Sequence, residues 1–328
     1  MSGKKVLYMD QAPGRYRDVL KKYTPEGYEL WFWQEMDAAE RQARLPEADY
    51  MVVINTHVDG KTLEAARKLR LVQRTGIGVN NIDVETATRL GIPIAIVPGG
   101  NSVAVAELTI LFILALYRHL LPIDRQTKEG KWPNWAYRPV SHEMDGKVHG
   151  LIGFGNIGKE TAKRSRAFGT KIVYYDIVRA PEEKEKELGA TYLPLEELLK
   201  QSDIVSIHVP LVPETKGMIG MEQLRLMKRE AILINVARGG IVKEQDLYQA
   251  LKEGIIAGAG IDTWEMEPVN PDNPLLALDN VVAMPHIAAG TIDTFERVVR
   301  MSFQNIVKAE EDNRPLHVVN GVETARFA

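Results

Sequence analysis

Short apolar runs recur along the chain and alternate with stretches of helical spacing. The first set is KKVLYMD, YELWFW, DYMVVIN, RLVQRT and IPIAIVP, and a second set follows after a break: KVHGLIGFG, KIVYYD, DIVSIHVP, AILINVARG, GAGID and NVVAMPH. Within most runs consecutive positions are apolar, without the polar alternation of a strand that has one wet face. This predicts strands covered on both faces, as in a parallel sheet. Regular strand–helix alternation predicts an α/β fold, here as two doubly wound parallel-sheet lobes. Between the sets, residues 101–121 read as one long helix capped by Asn101 or Ser102. A helix is expected over 157–168. The tail beyond Thr291, DTFERVVRMSFQNIVKAEE, predicts a long amphipathic helix.

Composition narrows the function classes. The chain has 328 residues, enough for two domains, and a net charge of −3, so no basic field points to nucleic acid. It has no cysteine, which removes disulfides, thiolate zinc sites and cysteine nucleophiles, and no metal is called for. The most apolar segment, VAVAELTILFILALYRHLL, is interrupted by Glu107, Thr109, Arg118 and His119. Its clean run falls well short of the ~20 residues of a spanning helix, so a buried helix and no membrane partner are expected. The opening MSGKKVLYMD is too short in its apolar part for a signal peptide, and the expected location is the cytoplasm.

The strongest local motif is Gly153-Phe-Gly155-Asn-Ile-Gly158. A lone G-x-G-x-x-G is weak, but here a strand (VHGLI) precedes it and a helix follows. A second strand, KIVYY, then ends in Asp176, eighteen residues beyond Gly158. Gly153 permits the tight turn, Gly155 lets backbone approach a pyrophosphate, and Gly158 lets helix and strand pack closely. Asn156 and Ile157 open the helix, whose free N–H groups attract phosphate. Asp176 would accept hydrogen bonds from the adenosine ribose and repel a 2′-phosphate, so NAD is expected over NADP. Arg179, of opposite charge, leaves NADP open. A flavin is less favoured, because the motif lies in mid-chain.

Ligands of open parallel sheets bind at the carboxyl ends of the strands. Three apolar strands here end in unusual polar residues. AILINV, which ends in Val236, delivers Ala237 and Arg238; GAGI delivers Asp262, with Glu267 in the loop beyond; VVAMP delivers His286. A histidine moves protons well when a fixed carboxylate holds it, and Glu267 with His286 is the candidate pair. Singly, each has a bland reading as a solvated surface group. His208, in SIHVP, also sits at a strand end and is the rival proton carrier, and spacing alone leaves both open.

Several of these stretches together resemble the D-isomer-specific 2-hydroxyacid dehydrogenase family. They are RTGIGVNNID (74–83), GLIGFGNIG (150–158), HVPLVPET (208–215), INVARGGIV (234–242), DTWEMEP (262–268) and PHIA (285–288). The resemblance implies a Rossmann NAD-binding domain, residues 101–287, inserted into a flavodoxin-like substrate domain, residues 1–100 plus 288–328. It implies His286 as acid/base, Glu267 holding its ring and Arg238 clamping the substrate. It implies backbone N–H groups of Ile77 and Gly78 on the substrate carboxylate. His208, Pro210 and Thr215 are expected along the adenosine side, Asp262 at the nicotinamide ribose or amide, and Thr109 facing the nicotinamide.

The implied activity is reversible hydride transfer between NADH and a small 2-keto acid, of the glyoxylate or hydroxypyruvate kind, by a homodimer. Glu267 argues against formate dehydrogenases, which carry glutamine there. Phosphoglycerate dehydrogenases tend to carry an arginine after the strand matching DYMVVIN, where this chain has Asn55, Thr56 and His57. That enzyme and an NAD-sensing corepressor-like protein are the alternatives. The aromatic loop of Trp132, Trp135 and Tyr137 is expected to pack in a dimer rather than close over a pocket.

Overall fold

The structure, a computed structural model, describes residues 3–324. Its chain divides into two compact units. One holds the residues up to Asn101 and from Gly290 onward; the other is Ser102–Ala289.

The first unit is built on five parallel strands in the order β2-β1-β3-β4-β5. They are β1 (Lys4–Tyr8), β2 (Tyr28–Phe32), β3 (Tyr50–Val53), β4 (Leu71–Arg74) and β5 (Ile94–Ala95). The expectation of two covered faces is met at successive residues of β1. Val6 and Tyr8 face one cluster, with Tyr50, Val52 and Phe303. Leu7, with Met9 just beyond, faces another, with Met51, Val53 and Val72. Full burial of each such side chain contributes about 1.5–3 kcal/mol. The tail forms the helix Ile292–Asp312, whose buried Phe295, Val299, Phe303 and Ile306 lie on one stripe. Thr291 caps it, its hydroxyl oxygen accepting the Thr294 N–H at 3.1 Å.

The second unit has seven parallel strands in the order β12-β11-β10-β9-β6-β7-β8. They are β6 (Val148–Ile152), β7 (Lys171–Tyr175), β8 (Ala190–Tyr192), β9 (Ile204–Ile207), β10 (Ile232–Asn235), β11 (Gly258–Ile261) and β12 (Val281–Ala283). The chain starts at β6, winds outward to β8, then crosses back to β9 and winds the other way. The order therefore reverses between β6 and β9, where open α/β sheets bind ligands.

Two expectations are corrected. The single helix over 101–121 ends at Tyr117, and a second one, Leu120–Lys128, starts after His119, whose φ of 48° turns the chain. The two axes differ by 61°. Nor does a side chain cap the first helix: the buried Asn101 Oδ1 and Ser102 Oγ have no hydrogen-bond partner. No single helix among the described residues is long and apolar enough to cross a membrane. Helix Ser102–Tyr117 is instead buried along much of its length, with Phe112 and Ile113 in a cluster with Ile232 and Ile234 of β10.

Candidate active site

At the sheet's reversal point the glycine motif follows β6, and each glycine has its own reason. Gly153 has φ of 99°, and a Cβ there would lie 2.8 Å from the His208 backbone. A Cβ on Gly158 would lie 2.2 Å from the Gly153 carbonyl oxygen, so helix and turn touch only because Gly158 has no side chain. A Cβ on Gly155 would meet nothing within 4 Å, which leaves open space where a pyrophosphate would approach. Gly155 is the N-cap of the helix Asn156–Ala167 and no side chain caps it. The first N–H groups of that helix, at the exposed Asn156 and half-buried Ile157, stay free for an anion. Asp176 stands at the end of β7 and its Oδ2 accepts the Phe154 N–H at 2.7 Å. The residues present fit a dinucleotide.

His208, the rival proton carrier, is tied into a buried polar chain. Ser206 Oγ lies 2.8 Å from His208 Nε2 and 2.8 Å from His149 Nε2, and His149 Nδ1 lies 2.8 Å from Ser165 Oγ. His208 Nδ1 is buried without a partner. Burial pushes both rings down to about 3, so neither exchanges protons usefully near neutral pH. A pH prediction follows. Above about 6.5 both rings are neutral whether the chain is folded or not, and they leave stability unchanged. Below 6.5 the unfolded chain binds protons that the fold refuses, so stability falls from there toward pH 3. At pH 5 the loss is about 2 kcal/mol for the fully buried His149. Urea midpoints measured from pH 7.5 to 5 should fall, and His149→Gln should flatten that slope. An identical slope in the variant counts against the account.

His208 lies beside the glycine turn. Farther along the exposed loop, Thr215 Oγ1 donates to the Pro210 carbonyl at 2.6 Å and accepts the Val212 N–H at 2.9 Å. The Thr215 hydroxyl therefore shapes the loop.

The second group of polar residues lies beyond β10, β11 and β12. His286 has a left-handed backbone, φ 53°, which a residue with a Cβ adopts at a cost of about 1–2 kcal/mol. Asp262, fully buried, holds it there. The Asp262 carbonyl accepts the His286 N–H at 2.7 Å, and its carboxylate accepts the N–H groups of Ile287 and Ala288 at 2.9 and 3.0 Å. Asp262 was expected at the nicotinamide; the bonds it makes here belong to the histidine turn. Glu267 Oε2 accepts the Nδ1–H of His286 at 2.8 Å, and its Oε1 accepts the Trp264 N–H at 3.1 Å. A carboxylate can only accept, so the proton is on Nδ1 and Nε2 is left to exchange with a substrate. The imidazole is 42% exposed, open enough for that exchange.

Arg238 is exposed, and its Nη1–H donates to the Ala237 carbonyl at 2.7 Å. Its own carbonyl accepts Asn235 Nδ2–H at 3.0 Å, while Asn235 Oδ1 accepts the Ala237 N–H at 3.2 Å. Val236 is buried beneath this turn. Gly239 presses on the neighbouring loop: a Cβ there would lie 1.7 Å from the Trp264 carbonyl oxygen. Trp264 in turn donates its indole N–H to the Met284 carbonyl at 2.9 Å. The loops carrying Arg238, Glu267 and His286 are thus packed to one another, with Glu267 and His286 in direct contact.

In the first unit, the loop after β4 exposes Ile77 and turns the Gly78 carbonyl to Arg74 Nε–H, 2.9 Å away. Thr109, expected at the nicotinamide, is fully buried, its hydroxyl donating to the Val105 carbonyl at 2.9 Å. Sequence reasoning missed the support that Asp262 and Gly239 provide. The buried position of an aspartate directly after an apolar strand was the available signal. Trp132 and Trp135 are 81% and 77% exposed, and Trp132 lines a 470 Å³ pocket with Arg118, Tyr137 and His142 that contains none of the candidate site residues.

Comparison with known proteins agrees with this geometry. Residues 110–288 match the model of the D-isomer specific 2-hydroxyacid dehydrogenase NAD-binding domain. A glyoxylate reductase of Korarchaeum cryptofilum is 42% identical over 302 residues, 90% of each chain. A D-3-phosphoglycerate dehydrogenase of Archaeoglobus fulgidus is 39% identical over 304 residues, 92% of this chain but 56% of its own. The crystal structure of a D-lactate dehydrogenase with NAD+ from Lactobacillus jensenii superposes with a TM-score of 0.82 at 28% identity, covering 96% of this chain and 99% of that one. With the family model spanning every strand that carries the glycine turn, the guanidinium and the carboxylate–histidine pair, this protein belongs to the D-isomer-specific 2-hydroxyacid dehydrogenase family.

Proposed function

We propose that this NAD-dependent 2-hydroxyacid dehydrogenase reduces a small unphosphorylated 2-keto acid, of the glyoxylate or hydroxypyruvate type, with His286 as the acid/base. The observation that carries the catalytic part is the 2.8 Å bond from His286 Nδ1–H to Glu267, on a ring whose backbone Asp262 holds in the left-handed region. In reduction, Nε2 of His286 gives a proton to the carbonyl oxygen of the substrate; in oxidation it takes the proton from the hydroxyl. Glu267 keeps the ring in the required tautomer and stabilises the imidazolium. Arg238 clamps the substrate carboxylate and carbonyl oxygen with its planar fork. NADH would supply the hydride when bound; the Gly153–Gly158 turn and the N–H groups of Asn156 and Ile157 would hold its pyrophosphate, and Asp176 its ribose. His208, Pro210, Thr215, Val236, Ala237 and Asp262 are proposed along the dinucleotide, and the amides of Ile77 and Gly78 as further donors to a substrate carboxylate.

The choice of substrate is supported by a relative named glyoxylate reductase that aligns over 90% of both lengths, and by the Asn55-Thr56-His57 stretch after β3, which holds no arginine. A homodimer is supported by exposed Leu120, Leu121, Trp132 and Trp135 in the second unit. A cytoplasmic location is proposed with it. The test is NADH oxidation with glyoxylate, hydroxypyruvate, pyruvate, longer 2-keto acids and 3-phosphohydroxypyruvate. The highest kcat/KM is expected for glyoxylate or hydroxypyruvate. A preference for the phosphorylated acid transfers the chain to the phosphoglycerate dehydrogenases. NADH binding with no turnover on any of them makes it an NAD-sensing binding protein.

A further inference from the structure

Asp176 is followed by Ile177, Val178 and Arg179, so the first cation after the acid sits three residues past it. An arginine there has the chemistry to take a 2′-phosphate and admit NADP. In the structure it is engaged elsewhere. Arg179 Nε–H and Nη2–H donate to Glu185 Oε1 and Oε2, both at 2.9 Å, a two-bond fork. Glu185, on the helix Glu182–Leu188, is buried, with its side chain 9% exposed against 64% for Arg179. Tyr174 Oη–H also donates to Glu185 Oε1, at 2.6 Å, and accepts the Ala180 N–H at 2.9 Å. Arg179 first, and Tyr174 second, hold the Glu185 carboxyl down at about 2. Tyr174 is itself fixed: its ring stacks on Phe154 of the glycine motif, centroids 4.0 Å apart and planes 19° apart. Phe154 is the residue whose N–H binds Asp176. Asp176 directly follows the last residue of β7, two residues beyond Tyr174.

We infer that Glu185 is a specificity-determining residue for the cofactor: by holding Arg179 in a bidentate ion pair it withholds that guanidinium from a 2′-phosphate. NAD selectivity then has two parts, repulsion by Asp176 and sequestration of Arg179. Releasing the arginine leaves the carboxylate of Asp176 in place, so its full effect is read only when that carboxylate is also removed. The inference rests on the assignment of Asp176 to the adenosine ribose.

Steady-state kcat/KM for NADH and NADPH tests it in five variants: Arg179→Ala, Glu185→Gln, Asp176→Ala, the Asp176→Ala/Glu185→Gln pair, and that pair with Arg179→Ala added. Asp176→Ala alone should weaken NADH use and narrow the preference; no change in either cofactor sinks the ribose assignment whatever Arg179 does. Glu185→Gln on the Asp176→Ala background should raise kcat/KM for NADPH about tenfold further, the worth of one charge-assisted contact. Adding Arg179→Ala should remove that gain, which a merely structural role for Glu185 does not predict. Arg179→Ala alone should leave NADPH use within about twofold of the parent, since the guanidinium is already engaged. Two results overturn the inference while sparing the ribose assignment: a several-fold loss with NADPH in Arg179→Ala alone, or no gain from Glu185→Gln once Asp176 is replaced. Should Glu185→Gln fail to fold, Glu185→Asp, which shortens the reach to Arg179, is read in the same way.

Discussion

Replacing His286 by alanine is expected to lower kcat for keto-acid reduction by about 10²–10⁴-fold, the usual worth of positioned proton transfer, while NADH still binds. The separation follows from the geometry. The imidazole bonds to Glu267, whereas the glycine turn that fits a pyrophosphate lies after β6 and makes its close contacts with His208. Alanine keeps a Cβ at φ 53°, so the backbone cost already present with histidine is not increased. The N–H groups that bind Asp262 belong to the backbone of residues 286–288 and survive the change. Turnover at pH 7 and NADH titration by tryptophan fluorescence measure the two effects. Loss of NADH binding together with turnover would show that the ring supports structure, and an unchanged kcat would remove it from the chemistry. Glu267→Gln should cost less than His286→Ala. An amide oxygen still accepts from Nδ1–H, so ring and tautomer are kept, while the charge is lost and an NH2 replaces the oxygen that accepted the Trp264 N–H.

Much of this arrangement was legible along the chain, because the physics that produced it is local. Continuous apolar runs such as KVLY become strands with both faces covered, and Gly153 and Gly158 carry their packing requirement in their identity. Arg238, Asp262 and His286 stood out because apolar strands end at them. What escaped was set by contacts between segments distant in sequence. Strand β8 is three residues long with only Ala190 fully covered, too little pattern to register. The left-handed turn at His119 interrupts an apolar stretch at a residue with a Cβ, and Pro122 in the first turn of the next helix is the one local mark of the break. Gly239 reads as an ordinary loop glycine until the Trp264 carbonyl is seen against it. His149 reads as a stray polar residue in a strand, and its satisfaction depends on Ser165 and Ser206, each brought in from another element. Glu185 is one acid among several on the helix Glu182–Leu188, and only the fold sets it against Arg179.

Arg238→Lys is the second substitution with a large expected effect: kcat/KM for the keto acid should fall about 10²-fold with NADH binding retained. Lysine keeps the charge, so the loss isolates geometry. A guanidinium presents parallel N–H groups that match a carboxylate, and hydrogen bonds to charged groups are worth about 1.5–3 kcal/mol each. An ammonium on a flexible stem reaches one oxygen at a time. The turn itself should be undisturbed, because the bonds that form it run from Asn235 to the backbone of residues 237 and 238 and do not use the side chain. Among the described residues the Arg238 guanidinium donates to the Ala237 carbonyl alone, a bond whose loss near the surface costs little. If the fork binds substrate in the ground state, KM rises most; if it tightens as charge develops on the carbonyl oxygen, kcat falls as well. Arg238→Ala should be worse still, and guanidinium added to the assay should restore part of its activity. Activity within about threefold of the parent in Arg238→Lys would mean that a positive charge alone suffices, and the two-bond clamp would have to be given up even with His286 retained as the acid/base.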